Sequence, residues 1–254
     1  MSVIVKSGGG GKSSGLYVWK KYEVIANPYL SFIGNEDFTL KTYNTTKKWD
    51  GTLEYSTDTS TWNTWDGTAI SSAGSKLYLR GTGNTKIAGG SSYRFVFTGT
   101  DALKIACEGN IENLLDYTTV RSGGHPTMAD YCYGYMFNNC TALTTAPALP
   151  ATTLADYCYA SMFYGCTSLT TVPVLPATTL ANSCYAYIFF GCTKIKLSTT
   201  QTGEYQTAYR IPKSGTGTTA TDALTNMFTD TGGTFTGTPS INTTYYLSTS
   251  NTVV

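Results

Sequence analysis

Hydrophobic and polar positions alternate along much of the chain's first half. Runs with this two-residue period read as half-buried strands. They are DFTLKTYN (37–44), TLEYS (52–56), KLYLRGT (76–82), YRFVFTG (93–99) and, nearer the start, LYVWKKYEVI (16–25). Turn dipeptides separate them: Gly34-Asn35, Asp50-Gly51, Asp66-Gly67, Gly83-Asn84 and Gly89-Gly90. Short strands at this spacing predict a β-sandwich-like domain over residues 16–115. Residues 1–15, with a glycine run at 8–11, read as a flexible N-terminal segment. The segment ALKIACEGNIENLLDY leads out of the β domain.

The pattern then changes to a repeat. Cys132, Cys158 and Cys184 are 26 residues apart, and so are Cys140, Cys166 and Cys192. The copies read ADYCYGYMFNNCTALTTAPALPATTL, ADYCYASMFYGCTSLTTVPVLPATTL and ANSCYAYIFFGCTKIKL. A fixed period in this range predicts stacked units that bury their apolar faces against one another. In each copy Leu154, Cys158, Met162 and Cys166, or Leu180, Cys184, Ile188 and Cys192, recur every four residues. That spacing predicts a short helix with these residues inward. Thr153 and Thr179 would cap it, and Asn139, Gly165 and Gly191 would end it in the left-handed conformation. A short extended piece comes next, stopped by Pro147 or Pro173. The solenoid is expected over 116–197. Residues 198–254 are expected to form a C-terminal capping region, with a terminal strand at Thr244–Ser248 and a faint copy of the repeat at 223–228.

The string MFYGCTSLTTVP resembles the repeat of BspA-like leucine-rich proteins, whose bacterial surface members share the 26-residue period. The resemblance spans about 125–197. It implies a parallel-strand solenoid used for adhesion or recognition, without catalysis. The whole arrangement, a β domain beginning near VWKKYE and ending in this repeat, resembles phage and prophage tail-associated proteins of gut bacteria. The fold class expected is therefore mixed: a β-sandwich-like domain, then a short leucine-rich-repeat solenoid of α/β type, then a cap.

Composition narrows the function. Charged residues are 13% of the chain and the net charge is +1. No basic run marks a nucleic-acid binder. No stretch is apolar for long enough to span a membrane, and no secretory leader is visible at the start. His125 is the single histidine, which disfavours His-based catalysis and His-rich metal sites. The glycine run before Lys12 departs from the phosphate-loop pattern, because Lys6 stands where a glycine is needed.

Several residues remain as candidates. The seven cysteines read as free thiols in the core; a metal site or a disulfide ladder is the alternative, although the eight-residue spacing is not that of zinc ligands. Trp62 and Trp65 form either a hairpin with one ring in the core or a sugar-stacking platform. Opposite the predicted core face lie Tyr131, Tyr135, Asn138; Tyr157, Ser161, Tyr164; and Ser183, Tyr187, Phe190. The core columns barely change between copies, whereas this stripe does, as binding faces of repeat proteins do. The candidate binding residues are therefore Tyr131, Tyr135, Tyr157, Tyr164, Tyr187 and Phe190, with Trp62 and Trp65 secondary. The alternative is that these rings pack on each other. Asp130 and Asp156 read as solvated helix starts, favoured there by the helix dipole, rather than a catalytic pair. No catalytic residue, cofactor or metal is implied.

These features predict a non-enzymatic recognition protein, part of a phage or prophage tail, contacting a host cell-surface glycan or protein. Partners would include other virion proteins and copies of the chain, as a trimer. The alternatives are a structural virion subunit and a bacterial cell-surface adhesin. An enzyme acting on carbohydrate is a more distant reading.

Overall fold

The computed structural model describes residues 29–44, 49–88 and 93–254. The predicted tail at 1–15, the strand at 16–25 and the glycine turn at 89–90 lie outside the described residues. Among the described residues strands prevail over helix, at 29%, with one short helix, α1 (Asn113–Arg121).

Two sheets carry the first half. The larger has six strands in the order β4 (Asn63–Trp65), β3 (Thr52–Ser56), β6 (Lys76–Thr82), β1 (Leu30–Gly34), β8 (Ile105–Glu108), β9 (Leu143–Thr145). It is antiparallel as far as β8, and β9 then joins it in parallel. The smaller has β5 (Ile70–Ser71), β2 (Thr39–Thr42) and β7 (Phe95–Thr98). β6 shows why these residues pair: Leu77, Leu79 and Gly81 are buried while Lys76, Tyr78 and Arg80 face away, the alternation a half-covered strand requires. Phe32 of β1 meets Phe97 of β7 at 5.0 Å between ring centres. Trp65 stacks on Trp49 at 5.2 Å and meets Phe95 edge-on. The core runs on without a break from Leu30 to Leu247, through the repeats.

The repeats do not form the predicted leucine-rich-repeat solenoid. Among the described residues the sheets are separate, and none is closed or solenoid-like. No helix forms in 129–140, 155–166 or 181–192; these are successive turns. The strands after them are β9, β10 (Thr171–Val172) and β11 (Lys196–Ser198), and each belongs to a different sheet. The reason lies at the end of the chain. β15 (Thr252–Val253) pairs with β10, and Asn251 lodges between the neighbouring strands. Its amide nitrogen donates to Thr170 O and Lys194 O, both at 2.9 Å, and its oxygen accepts from Lys196 N. β11 is drawn instead into a sheet with β12 (Tyr205–Arg210), β13 (Gly232–Gly233) and β14 (Thr244–Ser248).

The turn segments stack as tiers. In the first, Cys132, Gly134, Met136, Asn138 and Cys140 donate their amides three residues back. The alternate amides, of Tyr131, Tyr133, Tyr135, Phe137 and Asn139, donate to carbonyls of the next tier. Every fourth residue is left-handed: Tyr131, Tyr135, Asn139; Tyr157, Ser161, Gly165; Ser183, Tyr187, Gly191, with φ between 50° and 70°. A left-handed residue in each turn stops an α-helix from propagating. Residues 222–230 form a fourth tier, with Asp222, Asn226 and Asp230 left-handed and Phe228 stacked on Phe189. The first tier is closed by Ile87, Ala88 and Phe95, whose amides donate to Cys132 O and Met136 O.

Candidate functional site

Stacking tiers with the same turns places equivalent side chains in columns. Two columns are core. Tyr133, Tyr159 and Tyr185 are fully buried, with ring centres 5.4 and 5.7 Å apart and planes within 9°. Phe137, Phe163 and Phe189 repeat at 5.7 Å. Phe137 also meets Phe95 and Phe32 at 5.9 and 6.2 Å, which fastens the tiers to both sheets. The thiols fill the space between. All seven cysteines are free and buried, and burial pushes Cys140 and Cys192 up to about 12. Cys166 and Cys192 donate to Phe137 O and Phe163 O of the preceding tier, each at 3.0 Å. They serve as small core residues.

The outer columns hold the predicted stripe. Tyr131, Tyr157 and Tyr187 are exposed, at 38, 37 and 36%. Tyr135, Tyr164 and Phe190 are half-buried, while Asn138, Ser161 and Ser183 are buried. Tyr131 stacks on Tyr157 with centres 4.6 Å apart and planes 4° apart. Tyr164 stacks on Phe190 at 4.7 Å and 2°, and Tyr187 leans on Phe190 at 5.9 Å. The spacing matches the strand-to-strand repeat of about 4.7–4.9 Å. Both of the stripe's expected behaviours thus occur together: the rings pack on one another, and three remain exposed. Within each stacked pair one face of each ring is covered by its partner.

A polar rail runs beside the first column. Asp156 N donates to Asp130 Oδ1, Asn182 N to Asp156 Oδ1, and Asn182 Nδ2 to Asp156 Oδ2. Asp130 and Asp156 are the only charges between 129 and 193, and they act as backbone acceptors for the following tier. They are not helix starts, because no helix is there. The Tyr131 phenol is pushed up, first by partial burial and then by Tyr157, Tyr135 and the two aspartates, so it stays neutral and can donate a hydrogen bond.

The secondary pair separates. Trp65 is 1% exposed and belongs to the core. Trp62 is half-buried, so a sugar platform on this hairpin would have to rest on Trp62 alone. The residues that gather around it, Tyr29, Glu54, Arg80 and Tyr117, carry no common sequence signal. The β3–β6 and β1–β6 registers, the β3–β4 connection and the second turn of α1 bring them together.

No protein family, curated protein or solved structure matches this chain. Among the described residues, no group of three or more His, Cys, Asp or Glu is placed to hold a metal ion, and no helix is long and apolar enough to cross a membrane.

Proposed function

We propose that this chain is a non-enzymatic recognition protein that contacts a cell-surface glycan or protein through its outer tyrosine columns. The setting inferred from the sequence resemblance is a phage or prophage tail, with a bacterial cell-surface adhesin or a structural virion subunit as the alternatives.

One observation carries the reading. Tyr131, Tyr135, Tyr157 and Tyr187 all stand in the left-handed region, with φ from 57° to 64°. That conformation suits glycine and asparagine and is an outlier for a bulky residue. Asn139, Gly165 and Gly191 fill equivalent turns at no such cost. Tyrosine stands where backbone economy favours something smaller, and at three of these positions the ring is exposed. Strain held at exposed aromatic residues is a mark of a binding surface. Tyrosine suits that task, bringing a large, rigid contact area with a polar tip. The near absence of charge fits a neutral partner.

The test is a pull-down of labelled protein on intact bacteria, beside a variant carrying Tyr131→Ala, Tyr157→Ala and Tyr187→Ala. Strain-selective binding that the folded variant loses supports the reading. No binding to any strain, together with stable self-association in solution, overturns it in favour of a structural subunit.

A further inference from the structure

Away from the tiers, β6 and β3 build a second site. Arg80 lies directly across from Glu54 in the sheet register, and its Nε donates to Glu54 Oε2 at 2.7 Å. The guanidinium carbon sits 4.1 Å from the centre of the Trp62 ring and 4.8 Å from that of Tyr117. Tyr29 closes a further side, 4.6 Å from Trp62 and 6.1 Å from Tyr117. Trp62 is itself pinned, its Nε1 donating to Thr59 O.

The guanidinium is therefore held in place, yet much of it is unused. Its side chain is 17% exposed. The ion pair takes Nε; among the described residues nothing accepts from Nη1 or Nη2. Neither nitrogen is sealed from solvent. Here the paired Nη donors form a fork at an aromatic rim, with the side chain's freedom already surrendered. Preorganisation of that kind favours a ligand.

We infer that Arg80 anchors a binding site for a carboxylate borne on a sugar ring, that is, an acidic monosaccharide unit. The fork matches a carboxylate in bidentate fashion. Glu54 offsets part of the arginine's charge, so a bare anion is held weakly and contact of the sugar with the rim adds to the hold on its carboxylate. Tyr29, Trp62 and Tyr117 supply an apolar rim, which suits the C–H face of a sugar. The site stands independently of the tyrosine columns.

Tryptophan fluorescence of the full chain, titrated with glucuronate, acetate, glucose and inorganic phosphate, tests this. Glucuronate is expected to give a saturable change, acetate one weaker by about tenfold, and glucose none. Arg80→Lys keeps the charge but removes the fork, and should abolish the glucuronate response with circular dichroism unchanged. Glu54→Gln provides a second variant whose effect has the opposite sign: tighter binding of both glucuronate and phosphate. The inference is overturned if glucuronate gives no response, if acetate or phosphate binds the native chain as tightly, or if either variant leaves the response as it was.

Discussion

Tyr131 and Tyr157 stand one repeat apart and stack with their planes 4° from parallel, although each is more than a third exposed. Such a pair contributes about 0.5–1.5 kcal/mol beyond area burial. Tyr131→Ala and Tyr157→Ala are therefore expected to be non-additive, with a coupling of that size in a double-mutant cycle followed by urea unfolding. Additive losses would mean that the rings do not stack in solution. Phe137→Ala is the contrasting variant. That ring is fully buried and touches Phe32, Phe95 and Phe163, so its loss should cost about 3–5 kcal/mol.

The left-handed residue in each turn makes a separate claim. Gly191 has φ 70°, and a methyl group added there would lie 3.7 Å from Gly165 Cα, an ordinary contact. Gly191→Ala thus isolates the backbone cost from steric crowding. About 1–2 kcal/mol of destabilisation is expected, read from the urea midpoint. At Gly165 the added methyl would also press on Asn139 Oδ1, so Gly165→Ala should cost more. Equal costs would show that handedness alone governs both positions and that Asn139 gives way freely, and no cost at Gly191 would show that handedness is not what matters there.

Much of the β structure was legible as alternation. The runs TLEYS, KLYLRGT and TYYLS are β3, β6 and β14 to the residue, because one face of each is covered. β1 escaped notice: in LSFIG the alternation lasts only from Leu30 to Phe32, and even the polar Ser31 is buried. The helix predicted in each repeat failed for a geometrical reason. Leu154, Cys158, Met162 and Cys166 are spaced by four each time, and an α-helix turns about 100° per residue. Each step overshoots by about 40°, so the fourth residue lies about 120° off the first face. A strict period of four belongs to a chain that turns once every four residues, which a left-handed residue in each turn provides. Asn139, Gly165 and Gly191 are residue types that advertise a left-handed position, but Tyr135 and Ser161 gave no such sign. The Arg80 site was illegible from the sequence, since Glu54, Trp62 and Tyr117 reach it from three separate elements.

Buried thiols give a direct test of the tier packing. All seven cysteines lie in the core and their pKa values are pushed up by burial, Cys184 to about 12. A thiol that stays protonated and enclosed does not react. The folded protein at pH 8 should therefore show almost no reaction with a thiol-specific disulfide reagent, and the unfolded chain should show seven equivalents. Rapid labelling of the Cys132, Cys158 and Cys184 column in the folded state would show that the tiers open. Cys158→Ser should lower the urea midpoint, because it places a hydroxyl in a fully buried column of thiols.

Acid should act through Asp116. This residue interrupts α1, with φ −152° and ψ 100°, and starts the second turn by accepting from Thr118 N and Thr119 N at 3.0 and 2.9 Å. Gly83 N, at the end of β6, donates to its other oxygen. Partial burial pushes the carboxyl up, but the hydrogen bonds from Thr118, Thr119 and Gly83 outweigh it and hold the pKa at about 2. The unfolded value is about 3.9. A depressed folded pKa means that the stabilisation is complete above the unfolded value and disappears as pH falls from about 4 towards 2. Because the group is partly exposed, screening reduces the contribution to about 1 kcal/mol. Asp116→Asn should remove it, so the native chain and the variant should differ most in urea midpoint near pH 6 and converge near pH 2. A gap between them that stays constant over this range would mean that Asp116 acts through its shape alone and that its charge contributes nothing to holding α1 against β6.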